Sequence, residues 1–267
     1  MNVSIRTCQI SVGLSLIGFG VLHLLADDFV TGRPPVHETW TTGKNIFAFV
    51  TGFILIIGGI LVFVNKKAST VVAGIGVMIF VWAGLQNLYL EFTTWDYGAV
   101  LVNLNKSLSL AFGFIFMGST LLQDFEQHSK PALWINKLGK IAPYAIGFFL
   151  FAGGIQHFIF VDFVKFLVPN WIPGATFWVY FTGVALAAAG LGLMTGFYRE
   201  WAALCSGWMI FAWVIILHIP LALSAVDNAM NEWTAVCEAL AVSSLLLLHY
   251  YFYKITIPYS YTKSATA

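Results

Sequence analysis

Eight polar side chains interrupt otherwise apolar stretches of this sequence: His23, Gln86, Asn87 and Lys106 in the first half, and Gln156, His157, His218 and Glu238 in the second. Inside a membrane-spanning segment an ionisable group costs several kcal/mol unless it is paired or hydrated, so such residues face protein or water. Imidazole and carboxylate are the groups that pass protons near neutral pH or bind a transition metal. His157, His218 and Glu238 are therefore the chemically richest set, suited to handling protons or a quinone head group. Asp28 and Asp162 follow His23 and His157 at the same distance and join as auxiliary groups, Asp162 only if its helix ends first. A plainer reading stands beside this one. In it, His218 and Glu238 form a buried ion pair, the other two histidines tie helix ends together, Lys106 snorkels outward or pairs with an acid, and Gln86 and Asn87 satisfy neighbouring helices. Cys8, Cys205 and Cys237 show no CxxC or zinc-like spacing, so no metal site is expected and buried apolar cysteine is the default.

The chain is internally duplicated, which raises the interest of positions kept polar in both copies. Gly20 to Val30 aligns without a gap on Gly154 to Val164, at an offset of 134 residues that places His23 on His157. Gly76 to Trp82 aligns on Gly207 to Trp213, and Thr51-Gly52 on Thr182-Gly183, at an offset of 131 that places Asn87 on His218. Aligning Leu104-Asn105-Lys106 on Val236-Cys237-Glu238 gives 132 and makes Lys106 the counterpart of Glu238. A period this long denotes a duplicated folding unit and no solenoid.

The elements that must position these residues follow from composition. With 59% apolar residues, 9% charged and a mean hydropathy of +0.83, the chain is a membrane protein. About 20 apolar residues cross a bilayer, and eight such runs occur, near 7 to 26, 44 to 64, 69 to 90, 103 to 122, 140 to 160, 176 to 195, 201 to 222 and 232 to 252. Their continuity excludes a barrel, whose strands alternate over about ten residues. The expected fold is all-α, with two parallel four-helix-bundle repeats. Residues 1–126 form the first unit, 127–139 a linker, 140–254 the second unit and 255–267 a tail. Arg6 before an apolar run resembles a secretory signal, yet residues 13 to 30 correspond to 147 to 164 in mid-chain, so a retained helix is expected.

Arg6, Lys66, Lys67, Lys130, Lys137, Lys140, Arg199, Lys254 and Lys263 fall on one side of this arrangement, which predicts both termini in the cytoplasm. Asp27, Asp28, Glu38, Glu91, Asp96, Asp162, Asp227 and Glu232 gather on the other. The net charge of +1 gives no sign of nucleic-acid binding. Residues 132 to 138 are expected to lie on the membrane surface, and Trp40, Trp95, Trp171, Trp178 and Trp233 to anchor at the interface.

Helix geometry groups the polar set. Gly13 and Gly20 share a face about 60° from His23, and Gly147, Gly154 and His157 repeat the pattern. Small residues mark helix contacts in membranes, so both histidines are expected to point inward. Gly207 and His218 share a face in the same way.

Gly153 to Phe158, then Leu167-Val168-Pro169-Asn170-Trp171-Ile172-Pro173-Gly174, Tyr180 to Gly183 and Gly190 to Leu193 resemble the DoxX/DoxX-like family of four-helix membrane proteins. The resemblance extends over residues 140 to 252 and is weaker over 7 to 122, where the Pro-Trp-Pro turn is missing and Asn87 replaces His218. It implies a bacterial inner-membrane protein associated with redox complexes, with a quinone as the cofactor that the polar set would suit. The expected partners are the bilayer and redox-complex subunits. A non-catalytic assembly factor or scaffold is the alternative, followed by a small-solute transporter, which parallel repeats also permit.

Overall fold

A computed structural model of the chain describes residues 3–30, 43–94, 98–122, 129–225 and 229–264. The described residues form α1 (Val3–Ala26), α2 (Lys44–Phe63), α3 (Ala68–Ile79), α4 (Leu85–Thr94), α5 (Ala99–Thr120), α6 (Lys130–Gly139), α7 (Ala142–Ile159), α8 (Val161–Leu167), α9 (Ala175–Thr195), α10 (Arg199–Trp213), α11 (Ile219–Ser224) and α12 (Ala229–Ser264). They include no strand. Eight helical stretches are long and apolar enough to cross a membrane: α1, α2, α3 with α4, α5, α6 with α7, α9, α10 with α11, and α12. The loop 31–42, the linker residues 123–128, Trp40, Trp95 and Asp96 lie outside the described residues, as does the side chain of Gln86.

Glycine sets the closest helix contacts, and it does so identically in the two copies. A Cβ placed on Gly20 would come within 2.5 Å of Gly52 O, and one on Gly154 within 2.7 Å of Gly183 O. Gly13 and Gly59 pack backbone to backbone, as do Gly147 and Gly190. Two glycines seven residues apart on each helix thus let α1 run antiparallel against α2, and α7 against α9. In the next layer Gly76 meets Ala111 O, and Gly118 meets Ser69 O, bringing α3 onto α5. The Ser69 hydroxyl adds a bond to Gly118 O at 2.8 Å.

The copies share one core. Alongside its own neighbours, α1 packs on α12, α7 packs on α5, and α5 meets α12 along the middle. Phe19, Leu16, Leu110, Phe114, Leu245 and Leu246 are fully buried in this shared interior. Outward faces carry Phe, Ile and Trp instead, as expected where the solvent is lipid.

Two of the three spans built from two helices contain a π-helical segment, Phe80–Gly84 between α3 and α4 and Val214–His218 between α10 and α11. Pro220 accounts for the second, because it has no N–H to continue the α ladder and the preceding turn widens to absorb the loss. In the first, Asn87 Nδ2 donates to Ala83 O at 2.8 Å and satisfies a carbonyl of the widened turn.

The linker continuation folds as an amphipathic helix, α6. Ser129 Oγ caps it by accepting from Ala132 N at 3.3 Å, and Pro131 stands in its first turn, where a missing N–H is harmless. Ala132 faces inward and Trp134 outward. Two further segments are helical where sequence marks a loop and a tail: Val161–Leu167, and the end of α12 from residue 255 to Ser264.

Candidate functional site

All the singled-out residues whose side chains are described lie toward one end of the bundle, where α1, α4, α7 and α11 finish and α5 and α12 begin. In the first copy His23 is 1% exposed. Its Nδ1 donates to Phe19 O at 2.7 Å, fixing the tautomer of a neutral ring so that Nε2 carries the lone pair. Phe29 stands edge-on to the imidazole with ring centres 5.9 Å apart, and Trp82 packs against Phe29 at 5.8 Å. A cavity of about 20 Å³ remains among His23, Thr51, Met78 and Trp82, room for about one water.

The second copy repeats the bond and loses the cover. His157 Nδ1 donates to Gly153 O at 2.7 Å, and Trp213, the counterpart of Trp82, lies beside the ring at 23° and 6.5 Å. Phe163 is the counterpart of Phe29, but α7 stops at Ile159 and α8 carries Phe163 away, leaving it 66% exposed. His157 is accordingly half-buried. Asp162 rides on the same short helix, exposed and without a hydrogen bond or ion pair among the described residues. Asp28 does not reach His23 with a bond: it pairs with Lys44 at 2.5 Å and accepts from Phe29 N at 2.6 Å.

Glu238 finds a partner other than the histidine that sequence offers it. Its Oε2 pairs with Lys106 Nζ at 2.5 Å, with side-chain exposures of 10% and 29%. Lys106 lies seven residues into α5 and Glu238 nine into α12, so the pair sits roughly 10 to 14 Å along the helices from their first residues. His218, half-buried and without a side-chain hydrogen bond among the described residues, closes the π-helical segment that packs on α12. Its counterpart Asn87 is fully buried and bonded to Ala83 O, and to Ser107 Oγ at 3.3 Å. Gln156 is half-buried one residue before His157.

The structure therefore divides the sequence-derived set into two groups, an open His157–Trp213 pair and a half-buried Lys106–Glu238 pair, with the segment ending at His218 packed on α12. No group of three His, Cys, Asp or Glu side chains capable of holding a metal occurs among the described residues. Cys8 is buried, Cys237 is half-buried with its Sγ against Gly18, and Cys205 is exposed.

Three polar groups at the opposite end escape a reading by repeat. His249 is 0% exposed, with neither ring nitrogen bonded, and it stacks on Phe116 at 3.9 Å. Arg199 donates to Leu193 O at 3.0 Å and to Tyr253 Oη at 3.2 Å. Gln9 Nε2 bridges Val62 O and Asn65 Oδ1, both at 2.8 Å. Gln9 and His249 are polar within apolar runs, the one signal available, while Arg199 stands among the loop charges; none has a polar counterpart of its own type in the other copy.

An open apolar groove of about 720 Å³ separates α9 from α10. Ala185, Ala188, Gly192 and Ala202 line it, where the first copy has Ile54, Ile57, Leu61 and Val71. It extends along α10 to Met209, one helical turn from Trp213.

A family described as a domain of unknown function (DUF8561) matches residues 146–249, from α7 to His249 in α12, which is the second copy alone. No curated protein and no solved structure matches the chain.

Proposed function

We propose that the chain is a membrane component of a redox- or quinone-linked system, and that its second copy receives a quinol head group at His157. The observation that carries this reading is the contrast between two equivalent histidines, one sealed by Phe29 and one left open. With Nδ1 committed to Gly153 O, Nε2 of a neutral ring is an acceptor suited to a quinol hydroxyl, and Trp213 supplies a flat apolar wall. The groove below Trp213 suits an isoprenoid tail. Lys106, Glu238 and His218 form a polar reserve within the membrane that can take up or relay a proton. Loop charges support an orientation with both termini in the cytoplasm, and the DoxX-like motifs support a bacterial inner membrane.

The test is binding of a short-chain benzoquinol or naphthoquinol to the reconstituted protein, followed by tryptophan quenching. Saturable binding that His157→Ala weakens at least tenfold, while His23→Ala in folded protein does not, is the expected outcome. Equal affinity in His157→Ala and the unmodified protein would remove the assignment.

A further inference from the structure

Lys106 and Glu238 are counterparts in the duplication, 132 residues apart, and they touch each other. Residues related by a twofold rotation meet only where they lie beside its axis, so this axis runs between α5 and α12. One pair is not the only sign of it. Gly113 and Leu245 are also 132 apart, and a Cβ on Gly113 would overlap the Leu245 side chain. Both steps, 106 to 113 and 238 to 245, are seven residues, the spacing at which parallel helices present the same seam. Farther down, Phe116 stacks on His249, one position from exact equivalence.

At each axial position the two copies differ in a complementary way: cation against anion, and no side chain against a large one. In a symmetric pair of identical units, Lys106 would face Lys106 or Glu238 would face Glu238. Likewise Gly113 would leave a gap against itself, and Leu245 would collide with itself. We infer that the α5–α12 seam is an interface specific for unlike halves, so that the second unit is the dedicated partner of the first and neither unit pairs with its own kind. Like-charge contact within the apolar layer and overpacking both oppose self-pairing. The Lys106–Glu238–His218 group is consequently assembled only where a first and a second unit meet.

The chain with both units, in detergent, tests this by thermal unfolding. Glu238→Lys with Leu245→Gly makes α12 copy α5, and Lys106→Glu with Gly113→Leu makes α5 copy α12, so each variant creates a like-with-like seam. Each should lower the unfolding midpoint by roughly 10 °C. Exchanging the charges alone, Lys106→Glu with Glu238→Lys, should recover at least half of the loss seen in either single charge reversal. Like-with-like seams as stable as the natural one would overturn the inference, and so would an exchange no more stable than its single variants.

Discussion

His157 makes the same bond as His23, to the carbonyl four residues earlier, but Phe163 leaves it uncovered where Phe29 closes over its counterpart. Accessibility should follow. An imidazole-acylating reagent applied to protein in detergent should modify His157 at least tenfold faster than His23, as followed by mass spectrometry of the peptides. Equal rates would mean that Phe29 is no cover.

The Lys106–Glu238 pair is half-buried, with the carboxylate at 10% side-chain exposure its enclosed member. Removing Lys106 leaves that carboxylate without its cation, so Lys106→Met should lose about 3 kcal/mol of stability. Replacing both, as Lys106→Met with Glu238→Leu, should restore most of it, because apolar side chains of similar volume avoid the desolvation cost. Denaturant unfolding of the two variants beside the unmodified protein checks both statements. A double variant as unstable as the single one would point to a pair retained for stability alone.

The contrast with Asp28–Lys44 is informative. That pair is equally short but has side-chain exposures of 43% and 25% at the end of the bundle, where solvent screens it. Asp28→Asn should change stability by less than about 1 kcal/mol. A loss of 3 kcal/mol in the same unfolding measurement would show that it holds the α1–α2 connection.

Glycines should divide by what a side chain would meet. Gly20→Leu and Gly154→Leu drive a side chain into the backbone of the facing helix and should abolish recovery of monodisperse protein. Gly74→Leu and Gly153→Leu point into open space and should be tolerated. Size-exclusion profiles of the four variants separate these expectations.

Much of the architecture was legible in the sequence. Hydropathy places seven of the eight spans within three residues, and the fifth ten residues late at its start, because a bilayer imposes one length on every crossing and leaves little choice of backbone. The paired glycines were legible as contact faces, since few positions let membrane helices approach so closely. Partnership was harder to read. Alignment presents Lys106 as the analogue of Glu238 and says nothing about their distance, so His218 looks like the nearer partner until the axis is located. His249 has Met117 near its place in the other copy, and a search for polarity kept twice passes over it. Pro220 was visible, but whether a proline kinks a helix or is absorbed by a π-turn depends on the packing around it. Phe163 matches Phe29 in type and register; only the break after Ile159 sends it elsewhere.

The central claim is that two copies lie side by side in the same orientation, with equivalent positions of α5 and α12 face to face. Oxidative cross-linking of Gly113→Cys with Leu245→Cys, in a chain whose three native cysteines are replaced, tests it most directly. The account predicts an efficient disulfide within one chain, and none when Leu247→Cys replaces Leu245→Cys. No cross-link in the first variant, or cross-links only between chains, would contradict it.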